Sequence, residues 1–228
     1  MLKKYGEYIV GKPKSIEELD YDKAIEIAIA KQRKYFKIAV IDDEEFPKED
    51  QLRRLSYNIT KFDDLLSIDI IESYDIIVCD IKGVGRKLFG DSGNGGMLIE
   101  EIRKNYPNKY LIVYSGETHK VESNHYFKVA DNWIDKTAGD NEKWTYLLDK
   151  AIEEVSNSVH AWKKIRDSLL KNKMKVADIL YLETKFVEAV KNRNDNSFPP
   201  KELESTINPL MWKMLLSFGK SAALKLIF

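Results

Sequence analysis

Sulfur crosslinks are the first thing this sequence lacks. Its one cysteine, Cys79, rules out an internal disulfide, and a reducing, cytoplasmic setting is expected. The opening residues, Met1-Leu-Lys-Lys-Tyr-Gly-Glu, contain no apolar run of the kind a secretory signal needs. A membrane span would take about 18 or more uncharged apolar residues. The nearest candidate, Leu210 to Phe228, is interrupted by Lys213, Lys220 and Lys225, so a spanning helix is not expected. Histidine is scarce: His119, His125 and His160 are scattered, without zinc-ligand spacing. Net charge is missing too. Lys and Arg number 37 against 37 Asp and Glu, which removes the simplest electrostatic case for a nucleic-acid partner. There are no internal repeats or low-complexity tracts.

The zero balance hides an asymmetry. Residues 37–150 carry 16 basic and 22 acidic side chains, whereas residues 151–228 carry 13 basic and 9 acidic ones. An acidic middle and a mildly basic end fit a metal-binding domain followed by a partner-facing segment.

Local patterning sets the organisation. Ser15-Ile16-Glu17-Glu18 reads as a capping box opening a helix over residues 15–35, with Ile16, Leu19, Ala24, Ile25, Ala28 and Ile29 on one stripe. From residue 36, short apolar runs alternate with helical stretches. The runs are Phe36–Ile41, Tyr74–Cys79, Lys109–Tyr114 and a short one at Asn132–Ile134; the helical stretches are Lys48–Tyr57 and Gly95–Asn105. Continuous apolar strands alternating with amphipathic helices predict a parallel sheet covered on both faces, with its ligand site at the carboxyl ends of the strands.

Beyond about residue 141 the chain reads as helical. Trp144, Leu148, Ala151, Val155, Ser158, Trp162, Ile165 and Leu169 follow a 4-3 spacing. That spacing describes either a long helix packed on its C-terminal neighbours or the seam of a coiled-coil dimer. The polar stretch from Asn192 to Lys201 reads as a loop. It precedes a last helix with a broad apolar arc, Met211, Trp212, Leu215, Phe218 and Ile227, of the sort that must be covered by protein.

The polar residues at the strand ends carry the chemistry. Asp42 and Asp43 follow the first strand, Asp80 the central one, Ser115 the next and Lys136 the last. In a parallel doubly wound sheet these five converge on one edge. Three carboxylates placed together repel unless a divalent cation neutralises them, and hard oxygen ligands suit magnesium. A lysine offers a point charge to phosphate oxygens, and a hydroxyl offers a hydrogen bond. Asp80 is then placed as a carboxylate nucleophile toward a phosphoryl donor. Taken singly, Asp43 reads equally as a helix cap, Ser115 as a turn residue, Lys136 as a surface residue, and Cys79 and Trp133 as core.

The segments Ile38-Ala-Val-Ile-Asp-Asp-Glu44, Tyr74-Asp-Ile-Ile-Val-Cys-Asp80, Leu111-Ile-Val-Tyr-Ser-Gly116 and Trp133-Ile-Asp-Lys136 resemble the signature segments of response-regulator receiver domains, in order and spacing, over about residues 36–155. The resemblance implies a flavodoxin-like, doubly wound sheet of five parallel strands. It implies Asp42 and Asp43 as a Mg2+-binding acidic pair and Asp80 as phosphoacceptor and metal ligand. The backbone carbonyl of Lys82 would be a further metal ligand, Ser115 the switch hydroxyl, and Lys136 the phosphate-binding lysine. Trp133 stands where the family places a Tyr or Phe that changes rotamer on activation.

Two departures stand out. Thr137 follows the lysine where the family has proline. The loop Ile81–Asn94 is longer than the family's, lacks GxGxxG spacing and reads as a flexible insertion, whose Lys82, Arg86 and Lys87 either touch a phosphate or partner or are solvated loop charge.

The expected organisation is an N-terminal helical extension (1–35), a receiver domain (36–155) and an all-helical output segment (156–228). The expected function is phosphorylation of Asp80 by a histidine kinase or phosphotransfer protein. The consequence would be a switch at the face of the fourth helix, last strand and last helix. Protein contacts of the C-terminal helices would carry the signal, with a homodimer as one form. No enzyme activity is expected beyond self-catalysed phosphotransfer and dephosphorylation, and neither membrane nor nucleic acid is an expected partner. The alternative is a constitutive adaptor that keeps the receiver fold without phosphorylation. A haloacid-dehalogenase-like phosphatase would need a second acid two residues after Asp80, where Lys82 stands.

Overall fold

In a computed structural model of the chain, residues 13–19, 29–116, 125–137, 140–192 and 198–221 are described. The chain divides into two compact units, Ile27–Val155 and a second that combines Met1–Glu26 with Ser156–Phe228.

The first unit is built on a sheet. A short helix α1 (Ile29–Gln32) and a 3-10 turn lead into β1 (Lys37–Ile41), then α2 (Glu49–Arg54) and β2 (Asn58–Phe62). A 3-10 segment (Ile68–Ser73) precedes β3 (Ile76–Asp80), and α3 (Arg86–Phe89) and α4 (Gly95–Asn105) follow. The unit closes with β4 (Tyr110–Ser115), α5 (His125–Val129), β5 (Asn132–Asp135) and α6 (Asn141–Ser156). All four strand pairings are parallel, and the spatial order is β2-β1-β3-β4-β5.

Composition explains the order. Every residue of β3 and β4 is buried, as a central strand covered on both faces requires. Side chains alternate between the faces. Ala39, Ile41, Ile77, Cys79, Leu111 and Val113 join Leu98, Ile99, Ile102 and Tyr106 in one core. The opposite phase carries Val40, Val78 and Ile112, also buried. Phe46, Tyr114 and Trp144 meet edge to face at 5.2–5.8 Å between centroids. β2 (Asn-Ile-Thr-Lys-Phe) is an edge strand in which Ile59 alone is fully buried. The chain's entry into this unit is tied to α6: Asp149 accepts from Arg33 Nε (2.8 Å) and Nη2 (2.6 Å) and from the Tyr57 hydroxyl (2.6 Å).

The second unit is helical: α7 (Ser158–Lys171), α8 (Val176–Lys191) and α9 (Pro209–Gly219). Trp162, Phe186, Phe198 and Phe218 form its aromatic centre, with centroids 5.2–6.0 Å apart. Ile16 lies in the same core. Its amide donates to Glu183 Oε1 (3.2 Å), the Lys14 amide donates to Thr184 Oγ1 (3.3 Å), and Glu18 pairs with Lys191 (2.6 Å).

Several expectations change. The capping box at Ser15 and Glu18 is present, but it opens only a 3-10 turn, because Leu19 is extended (φ −88°, ψ 112°). Most of the predicted stripe beyond it falls outside the described residues. The 4-3 stripe from Trp144 to Leu169 is not one helix. Asn157 leaves the helical region (ψ 96°), and its side chain accepts the Val159 and His160 amides to start α7. Every member of the stripe is buried within the chain, so the seam of a coiled-coil dimer is not available. On the last helix Met211, Leu215 and Phe218 are buried, while Ile227 lies outside the described residues.

Candidate functional site

Strand geometry brings the predicted residues together. The Asp42 amide donates to Phe62 O (3.0 Å), carrying the β1 ladder one residue past Ile41 and placing Asp42 at the carboxyl edge. Asp80 ends β3 and Ser115 ends β4; both are buried. The Lys136 amide donates to Ser115 O (3.1 Å), which extends the β4–β5 ladder and sets the lysine at the same edge. Its ammonium lies 2.7 Å from Asp80 Oδ2, 3.0 Å from Asp42 Oδ2 and 3.4 Å from Glu44 Oε2. The Tyr114 ring centroid is 5.1 Å away, a cation–π contact.

Asp42, Asp43 and Asp80 each offer a carboxylate oxygen within 4.8 Å of the others. Three carboxylates against one ammonium leave the cluster negative, and Asp42 Oδ2 is buried without a hydrogen-bond donor aligned on it. This donor set, all hard oxygen with more negative charge than Lys136 alone balances, fits Mg2+. Burial pushes the Asp80 carboxyl above its ordinary range, against the pull of Lys136. Burial also works to lower the Lys136 ammonium, but its bonds to Asp80 and Asp42 outweigh that and hold it above the usual lysine range.

The other predicted residues fall as follows. Asp43 does not cap the next helix, whose N-cap is Lys48 without a side-chain bond. Cys79 is a core residue, and burial raises its thiol. Trp133 is 40% exposed on β5, its ring 6.4 Å from that of Phe127. Thr137 closes a turn by donating its amide (2.8 Å) and hydroxyl (2.7 Å) to Asp135 Oδ1.

The loop expected to be a flexible insertion is folded. Val84 is fully buried in the sheet core, α3 occupies Arg86–Phe89, and the Gly95 amide donates to Ile81 O (3.0 Å) across the loop's neck. Gly83 has φ +80°, and a Cβ there would sit 1.9 Å from Asp43 Oδ1, so the loop packs directly on the acidic pair. Lys82, whose carbonyl was expected as a ligand, is the preceding residue. Sequence patterning did not single out Glu44, Tyr114, Gly83 or Asp64, the last of which accepts the Gly85 and Lys87 amides of this loop.

The sheet order 2-1-3-4-5 is that of the flavodoxin-like doubly wound folds, receiver domains among them, and Asp80 ends the strand beside its switch point. Residues 27–155 have a receiver fold. A search of solved structures returns receiver domains. One is the response regulator TrrA of Thermotoga maritima in complex with Mg2+-BeF (21% identity, 50% of this chain and 96% of that one, TM-score 0.40). Another is a CheY-like receiver domain protein of Methanospirillum hungatei (16% identity, 53% and 95%, TM-score 0.41). TrrA in complex with the histidine kinase ThkA is also found (20% identity, 51% and 97%, TM-score 0.41). No family model and no curated protein matches the chain. Among the described residues, no helix is long and apolar enough to cross a membrane.

Proposed function

We propose that this chain is a phosphoacceptor in a phosphoryl-transfer signalling system, with Asp80 as the acceptor. One observation carries the reading. A buried carboxylate ending the central strand lies 2.7 Å from an ammonium and shares a 4.8 Å cluster with two further carboxylates. A receiver fold with this edge accepts a phosphoryl group from a histidine kinase or phosphotransfer protein.

In the transfer, an Asp80 carboxylate oxygen attacks the donor phosphorus. The P–N bond of a phosphohistidine, or the P–O bond of a small acyl phosphate, breaks, and its electron pair leaves with the donor. Lys136 supplies the nearest cation to the phosphoryl oxygens, and the Ser115 hydroxyl at the neighbouring strand end offers a hydrogen bond. Mg2+, held by Asp42, Asp43, Asp80 and the main-chain carbonyl of Lys82, would add positive charge against those oxygens. Charging Asp80 with phosphate changes the partners available to Lys136 and so biases the sheet edge between two states. The helical unit is the segment through which protein contacts carry the signal onward.

The test is intact mass after incubation with acetyl phosphate and Mg2+. One phosphoryl group is expected on the parent chain and none on Asp80→Asn. Unchanged uptake by that variant would remove Asp80 from its role.

A further inference from the structure

The receiver unit holds a carboxylate outside the acidic cluster whose hydrogen bonds reach the cluster through the main chain. Asp64 follows the edge strand β2, two residues beyond Phe62. Its Oδ1 accepts from the Gly85 amide (2.6 Å) and the Leu65 amide (2.8 Å), and its Oδ2 accepts from the Lys87 amide (3.0 Å). Neighbouring Asp63 behaves differently: it is exposed and pairs with Lys61 (2.6 Å). Asp64 is therefore spent on main-chain donors, two of them in the enlarged loop.

Those donors lie in the loop that packs on the acidic pair. Leu65 and Val84 are both fully buried in the same core, so side chains fix one side of the Asp64 contact and of the loop. Gly85 has φ +85°, and a Cβ there would stand 2.7 Å from Asn94 O, so the loop's two limbs approach to backbone contact at the point Asp64 grips. Two residues earlier, Gly83 lies against the Asp43 carboxylate with no room for a methyl group. A grip at residues 85 and 87 thus determines how closely residues 82 and 83 approach Asp43. A loop of 14 residues between Asp80 and Gly95 would otherwise have ample freedom to withdraw.

We infer that Asp64 is a positioning residue for the receiver's cation site: by holding the loop after Asp80 through the Gly85 and Lys87 amides, it fixes Asp43 and the Lys82 carbonyl for a divalent cation. The inference rests on the proposed role of the acidic cluster. Outer carboxylates that orient metal ligands are typically worth about 10–100-fold in affinity.

The experiment is calorimetric titration of the full chain with Mg2+, paired with amide hydrogen exchange. Asp64→Ala should weaken Mg2+ binding by about 10-fold or more and speed exchange at Gly85 and Lys87. Asp64→Asn, which keeps one acceptor oxygen, should fall between Asp64→Ala and the parent. Asp69→Ala serves as a stability control: it removes the acceptor of the Tyr106 hydroxyl (2.8 Å) before β3, at the other end of that strand, and should leave Mg2+ affinity unchanged. Gly83→Ala presses a methyl on Asp43 with Asp64 intact. It should also weaken binding, which keeps the test decisive if Asp64→Ala folds poorly. Mg2+ affinity equal to the parent's in Asp64→Ala, or in Asp64→Asn should Asp64→Ala not fold, would overturn this inference whatever Gly83→Ala shows, and leave the phosphoacceptor reading standing. A parent chain that binds no Mg2+ would overturn the assigned cation site and this inference together.

Discussion

Two sites of buried carboxylate, one in each unit, treat their charge in opposite ways. In the helical unit, Glu183 is buried and its oxygens are taken up by donors. Oε1 accepts the Ile16 amide, Oε2 accepts Trp162 Nε1 (2.9 Å), and Arg166 stands 3.6 Å from Oε2. In the receiver unit, Asp42 and Asp80 are buried beside exposed Asp43, with one lysine shared between Asp42 and Asp80. A saturated carboxylate holds a fold together, whereas carboxylates crowded without enough donors keep capacity for a ligand. Burial does not separate the two cases; the count of donors does.

The largest effect is expected at Trp162. Trp162→Ala empties the aromatic centre of the helical unit and takes a donor from buried Glu183, at a cost of about 3–5 kcal/mol. Amide exchange should rise across α7, α8 and α9, while the sheet keeps its protection and phosphoryl uptake by Asp80 is unchanged. Loss of uptake would show that the chemistry is not confined to the receiver unit.

A milder test lies inside the receiver unit. Asp149, like Glu183, is saturated, by Arg33 and Tyr57, and the pair is only partly exposed at 12% and 24%. Arg33→Ala should cost about 2 kcal/mol, a discounted value for a partly buried pair, read as a lower denaturant midpoint. Phosphoryl uptake should not change.

Lys109 gives the smallest effect. Burial lowers its ammonium to about 8, although Nζ donates to Glu72 O (2.6 Å). Above that value the folded chain has released a proton that the unfolded chain still holds, so stability rises with pH. The gain is about 1.4 kcal/mol per pH unit at most, until the unfolded lysine also titrates. Burial raises Tyr57 and Tyr106, which work in the opposite sense once free tyrosine titrates near pH 10. Between about pH 8 and 9.5 the parent should therefore gain stability that Lys109→Met does not.

Much of the receiver unit was legible because its central strands are continuous apolar runs, each ending in a residue of distinct chemistry. β2 was not visible as a strand: Asn58, Thr60 and Lys61 carry no buried pattern, since an edge strand is packed on less of its surface. Asp64 was hidden with it, because an acid acquires meaning only once the strand before it is known. The break at Asn157 was masked by periodicity. Ser158 is buried and keeps the 4-3 phase, so the stripe reads straight through the helix break at Asn157. The loop after Asp80 read as a flexible insertion from its length and its lack of GxGxxG spacing, yet its glycines allow limbs and acidic pair to pack at backbone distance.

Phosphoryl transfer to Asp80 would form an acyl phosphate. Borohydride reduces such a linkage to the alcohol, marking the modified residue for peptide mass spectrometry. After treatment with acetyl phosphate and Mg2+, reduction is expected at Asp80, dependent on Mg2+ and absent when phosphodonor is withheld. Reduction at another acid, or a stable phosphoester with no reducible linkage, would contradict it.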